Sequence, residues 1–146
     1  HRGAGQIIPC VKKAFFACQL ASLPKILEPM YVVSITVPVS GVSGVMKALD
    51  IRRCEMESMK NHGRTPLTTI KAYLPVLESF GFCELIRKNT CGQAFLQILG
   101  FSHWNEIDGD PLTEGTHAYD ILMKTRQQKG LKQELPIFSD YYDKLN

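Results

Sequence analysis

The chain has 146 residues, 45% of them hydrophobic and 21% charged, with a formal net charge of +3. That much apolar surface excludes an intrinsically disordered chain, and no apolar run reaches the roughly 20 residues that a transmembrane helix needs. The mild positive charge permits a phosphate-rich partner without requiring one, because nucleic-acid binding follows clustered rather than total charge.

A glycine-rich start leads into Ile7-Ile8-Pro9, after which Val11, Phe15 and Cys18 recur at helical spacing. Pro9 is expected in the first turn of this helix, where a missing N–H costs least. Leu23 to Pro29 carries two prolines and reads as a linker, the best candidate for a domain boundary. A strand follows over Met30 to Val37, with Tyr31, Val33, Ile35 and Val37 on one face and Ser34 and Thr36 on the other. Val42, Val45, Met46 and Leu49 then match an amphipathic helix that ends at Arg52-Arg53, where cations suit the helix C-terminus.

Cys54, Met56 and Ser58 alternate with Glu55 and Glu57, which predicts a short, charged edge strand before the turn His62 to Pro66. Leu67 to Leu74 forms a third strand, with Ile70, Ala72 and Leu74 opposite Lys71 and Tyr73. Ser79 is the expected N-cap of a second helix carrying Phe82, Leu85 and Ile86, ended by Cys91-Gly92-Gln93. Ala94 to Phe101 reads as a fourth strand running on towards Trp104. Beyond a turn at Asp108 to Pro111, a helix is predicted from Thr116 to Lys129, closed by Gly130. Phe138, Tyr141, Tyr142 and Leu145 remain in the tail for docking.

The order is β-α-β-β-α-β, which predicts an α+β, ferredoxin-like sandwich: a four-stranded antiparallel sheet with two helices on one face, and extra N- and C-terminal helices. The expected divisions are 1–28, 29–112 and 113–146. The first helix has no sheet of its own and reads as the end of a domain whose body is missing.

Catalytic chemistry is hard to place on this chain. It contains no G-x-x-x-x-G-K-[ST], G-x-G-x-x-G or H-E-x-x-H motif, and its four histidines lack metal-ligand spacing. Cys10, Cys18, Cys54, Cys83 and Cys91 are odd in number and form no C-x-x-C pair. That pattern predicts buried structural thiols in a reducing compartment. Asp108 and Asp110 are explained by turn formation. Ser79-Phe80-Gly81-Phe82 resembles the Gly-aromatic motif of RNA-recognition domains, but its position before a helix assigns Phe82 to the core and Phe80 to a contact at the helix start. Basic residues gather at Lys12-Lys13, at Arg52-Arg53 and from Lys124 through Arg126 and Lys129 to Lys132, where they serve either as solvated faces or as phosphate contacts.

Segments along nearly the whole chain resemble the eukaryotic elongation factor 2 family. His1 to Pro9 is similar to the segment that closes the tip loop of that family's domain IV. Leu27-Glu28-Pro29 before a strand is similar to the start of domain V. Lys71 to Val76, Glu78 to Phe82, Gly92 to Phe95, His103-Trp104, Gly109 to Pro111, Lys129 to Lys132 and Tyr142 to Leu145 follow in the family's order. The resemblance implies a C-terminal piece, non-catalytic by itself, of a cytoplasmic GTPase that drives tRNA and mRNA through the ribosome. Domain V would then occupy residues 30 to about 112, with the C-terminal helix packing back toward domain IV.

No cofactor is expected in this chain. GTP and magnesium would bind a G domain outside it, and no membrane is involved. The implied partners are the ribosome, through rRNA and ribosomal proteins, and the rest of the parent factor. His1 matches the position that the family converts to diphthamide and that ADP-ribosylating toxins attack; in this fragment it is expected unmodified. Arg2, Lys12, Lys13, Arg52, Arg53, Lys124, Arg126 and Lys129 are the candidate ribosome contacts. A spliceosomal GTPase and a GTPase of ribosome biogenesis share the body plan, and the Gln-Ala-Phe segment and Tyr-Asp-Lys-Leu ending favour the elongation factor.

Overall fold

The structure, a computed structural model, describes residues 3–141; His1, Arg2 and the tail residues Tyr142 and Leu145 lie outside them. The chain divides into two compact units, one of Leu27–Asn105 and one formed by His1–Ile26 with Glu106–Asn146.

The central unit holds β1 (Leu27–Pro38), α2 (Val42–Ile51), β2 (Glu55–Asn61), β3 (Leu67–Pro75), α3 (Phe82–Asn89) and β4 (Phe95–Glu106, which runs one residue past it); α1 (Ala4–Ala21) and α4 (His117–Gln128) belong to the other. Four strands pair in the order β2-β3-β1-β4, so the predicted α+β, ferredoxin-like arrangement is the one observed. β1 and β3 run antiparallel in unbroken register from Met30 opposite Pro75 to Pro38 opposite Leu67. Because side chains alternate across a strand, this places Val33, Ile35 and Val37 beside Ile70, Ala72 and Leu74 on one face. Those residues close a core with Val45, Ala48 and Leu49 of α2 and Phe82 and Ile86 of α3. Each large side chain so buried contributes about 1.5–3 kcal/mol.

The two helices of this layer approach closely at Gly44. A Cβ placed there would lie 2.0 Å from the backbone oxygen of Asn89, so only glycine fits. Thr90 hydroxyl donates to the Ile86 carbonyl at 2.7 Å and accepts the Ala94 N–H at 3.3 Å, tying the end of α3 to the start of β4.

Several local expectations change. Leu27 to Pro29 is strand rather than linker: it continues β1 beyond the end of β3, where the missing N–H of Pro29 leaves no β3 partner unbonded. Pro9 lies inside α1, which begins at Ala4. The residue four before it is Gly5, which has no side chain to crowd the proline ring, and the helix forgoes one backbone bond there. Ser79 does not cap α3; its hydroxyl donates to the Val76 carbonyl at 2.7 Å, and Gly81, at φ +71°, starts the helix instead. In β2 the register shifts between Met56 and Ser58, leaving Glu57 as a bulge. The bulge turns Met59 to the face of Met56 and Ser58 to the face of Glu55, which breaks the simple alternation read from the sequence.

The other unit is built differently. No residue of α1 is buried, and Phe15 is 66% exposed. Phe16 stacks against Tyr141 at 5.6 Å, so this part of the tail does dock on α1. Thr116 caps α4 by accepting the Tyr119 N–H at 3.2 Å. The helix ends in a Schellman motif, with Leu131 N–H bonded to Arg126 O and Gly130 at φ +65°.

Candidate functional site

The basic residues fall into two environments. In the central unit, α2 ends in a Schellman motif in which Cys54 N–H bonds to Leu49 O at 2.9 Å and Arg53 N–H to Asp50 O at 3.2 Å. The left-handed position, where glycine is usual, is taken by Arg53 at φ +53°. A non-glycine residue there costs roughly 1–2 kcal/mol. The guanidinium supplies the compensation. Arg53 grips both oxygens of Glu28 at 3.1 and 3.2 Å, and approaches Glu78 at 3.8 Å. Arg52 donates to the same Glu78 at 3.3 Å.

The Glu28 side chain is only 4% exposed, so its charge depends on this fork. Arg52 and Arg53 keep 27% and 32% of their side-chain surface. The structure thus brings the predicted pair together with two carboxylates that sequence reasoning did not select. Glu28 sat in what read as a linker, and no local pattern marks a linker carboxylate as buried.

In the other unit, Lys12 is exposed on α1, and Lys124 and Lys129 are exposed on α4 and at its cap, without an ion pair among the described residues. Lys13 is exposed on α1 as well, and it makes an interaction of its own. Arg126 is committed locally: its Nε donates to Lys132 O at 2.9 Å and Nη2 to Glu134 O at 3.3 Å, holding the segment after α4. It also lines a cleft of about 680 Å³ walled by Phe16, Leu20, Leu122, Leu135 and Tyr141. His1 and Arg2 lie outside the described residues.

The sheet face away from the helices carries a polar and aromatic row. Tyr73 meets His103 edge-on at 5.0 Å, and Ser102 Oγ lies 2.8 Å from His103 Nδ1. Asn105 donates to Glu55 at 3.1 Å, and Thr36 and Thr69 hydroxyls are 3.3 Å apart. Desolvation, a hydrogen bond to Glu57 and the negative charges of Glu57 and Glu55 push the Tyr73 phenol up. Carboxylates on this face oppose phosphate.

The aromatic motif before α3 splits as its position implies only in part. Phe82 is in the core, whereas Phe80 is 78% exposed.

The thiols also depart from expectation. Cys10, Cys18, Cys83 and Cys91 are exposed, and only Cys54 is half-buried. The apolar spacing that suggested burial belongs, for the first two, to a helix with no buried residue. Cys91 occupies the left-handed position after α3 at φ +49°. Burial, followed by the charge of Glu78, pushes the Cys54 thiol up to about 12, so it is no nucleophile near neutral pH. Asp110 is a turn residue as predicted: its carboxylate accepts from Leu112 N–H at 3.0 Å and the Thr113 hydroxyl at 2.7 Å, which lowers its pKa.

Among the described residues no group of three or more His, Cys, Asp or Glu is placed to hold a metal, and no helix is long and apolar enough to cross a membrane. What the geometry offers is an α+β body with basic residues at or beside the C-terminal ends of α2 and α4. The family model of the elongation factor G C-terminus matches residues 25–115, spanning all four strands and both helices of the sandwich. Since that match covers more than half of the sequence, the chain belongs to the elongation factor G and elongation factor 2 family of translation factors as a C-terminal module.

Proposed function

We propose that this chain is the C-terminal module of a translocation GTPase of the eukaryotic elongation factor 2 type, and that it binds the ribosome without catalysing a reaction itself. The observation that carries this reading is the family match over residues 25–115. The segments Lys71 to Val76 and Glu78 to Phe82 sharpen it toward the eukaryotic factor, and they fall on β3 and the start of α3. GTP and magnesium would be held by a G domain elsewhere in the parent, and the setting is the cytoplasm.

Within the module, Lys12, Lys124 and Lys129 are the best phosphate contacts, because they are exposed cations on or beside helices. Lys13, Arg2 and the outer edges of Arg52 and Arg53 would add to them, and Arg126 would act by shaping the segment after α4. His1 is the diphthamide position by resemblance. The apolar side of α1 would rest on the remainder of domain IV.

Two experiments test this. Binding of the chain to purified ribosomes should fall steeply with salt as phosphate contacts release counterions, and Lys124→Glu with Lys129→Glu should flatten the slope by about one unit per lost contact. Salt-independent binding would count against it. Peptide mass spectrometry of the full-length parent should find a diphthamide increment on His1. A parent that co-purifies with spliceosomes or pre-ribosomal particles, carrying a plain histidine, would move the assignment to the sister GTPases.

A further inference from the structure

Lys132 differs from every other lysine of the chain in its neighbours. Leu131 precedes it and Glu134 follows two residues later, and no other lysine has an acidic residue at that second position. The segment stands outside regular structure. α4 stops in the Schellman turn at Gly130, and no regular element begins again before the short turn of 3-10 helix at Phe138–Asp140. Leu131 is 50% exposed, and Lys132 and Glu134 are exposed as well.

Arg126 holds this segment by its main chain, through the carbonyls of Lys132 and Glu134 at 2.9 and 3.3 Å. The two side chains are left uncommitted: neither makes an ion pair among the described residues. Exposed charges of this kind contribute little to stability, so the fold itself does not account for the pattern. An apolar residue, a lysine and a carboxylate are presented together, on a backbone that a partner could draw out without breaking a helix or a strand.

We propose that Lys132 is a site of covalent modification, joined through its Nζ to the C-terminal glycine of a small ubiquitin-like modifier. The enzyme that conjugates this class of modifier reads the acceptor itself. It takes an apolar side chain before the lysine into an apolar groove, and pairs a carboxylate two residues after it with cations near the reactive cysteine. Leu131 and Glu134 supply those two contacts. In the step, Nζ gives up its ammonium proton and attacks the carbonyl carbon of the thioester that links the modifier to the enzyme's cysteine. The C–N bond forms, the C–S bond breaks, and the departing thiolate takes the proton that the nitrogen loses on becoming an amide. The site goes beyond ribosome binding and does not depend on which GTPase the chain comes from.

The test is conjugation of the whole chain with purified activating enzyme, conjugating enzyme, modifier and ATP, read by gel shift and by mass mapping of tryptic peptides. The expected result is one added modifier, carried on Lys132. Lys132→Arg should abolish it, and Glu134→Gln and Leu131→Ala should each slow it at least about tenfold. Lys60→Arg is the control, at an exposed lysine that follows Met59 but has no carboxylate two residues on, and it should leave the rate unchanged. Glu134 takes part in the Arg126 contact only through its carbonyl, so its variant keeps that contact. Far-UV circular dichroism confirms that each variant folds; should Leu131→Ala fail, Glu134→Gln reads the same recognition. A chain that gains no modifier, or gains it equally on several lysines, overturns the proposal. So does a rate that survives Glu134→Gln and Leu131→Ala. The assay contains no ribosomes, so neither outcome bears on ribosome binding.

Discussion

The flanking unit holds the longer helices, α1 and α4 with 18 and 12 residues against 10 and 8 for α2 and α3, yet among the described residues it is the central unit that completes a core. In Leu27–Asn105, strand and helix faces meet, and Val33, Ile35, Val37, Val45, Ile70, Leu74, Phe82 and Ile86 are sealed from water. In α1 the apolar residues Ile7, Ile8, Val11, Phe15 and Phe16 all stay exposed. Secondary structure is thus cheap to encode, and stability follows only where apolar faces close on one another. The same contrast separates the residues that hold the module together from those available to a partner.

The largest effects should come from the sealed layer. Phe82→Ala should cost about 3–5 kcal/mol, whereas Phe15→Ala should stay within about 0.5 kcal/mol. Urea titration of the two variants checks this, and equal losses would show that α1 is covered after all. Gly44→Ala drives a methyl into the Asn89 carbonyl and should cost about 1–3 kcal/mol, although alanine is the better helix former. A neutral result would mean that α2 and α3 do not meet there.

The ion pair comes next. Glu28→Gln leaves Arg53 in a left-handed turn without its bidentate partner, and should cost about 2 kcal/mol, less than a fully buried pair because Arg53 is partly exposed. Cys91→Gly works in the opposite direction: it relieves the left-handed strain at φ +49° and should stabilise the chain by about 1 kcal/mol in thermal melts.

The smallest effects are chemical and pH-linked. Alkylation at pH 8 should modify Cys10, Cys18, Cys83 and Cys91 well before Cys54, and rapid labelling of Cys54 would show that the Arg52-Arg53 turn opens. The Cys54 thiol is raised from 9.0 to about 12 in the fold. Its contribution is therefore complete below pH 9 and is lost as pH rises towards 12. Asp110 has the opposite sign: its pKa is lowered in the fold, so the turn is held above the ordinary carboxylate range and loosens as pH falls through it. Backbone amide exchange at Leu112 over an acid series reads that loosening.

Periodicity along the chain was enough to determine the β-α-β-β-α-β order, the inward faces of β1, β3 and α2, the glycine stop of α4 and the turn at Asp110. These depend on spacing, capping and local hydrogen bonds, all of which are written in neighbouring residues. The burial of Glu28 under Arg53, the bulge at Glu57 and the exposure of the four thiols were decided only by tertiary structure. Each depends on which distant surface comes to lie against a residue. Leu27 to Pro29 makes the point most sharply: a proline and a carboxylate, close after Pro24, spell a linker locally, yet packing makes the segment the first residues of a central strand and buries its one charge against a partner 25 residues away.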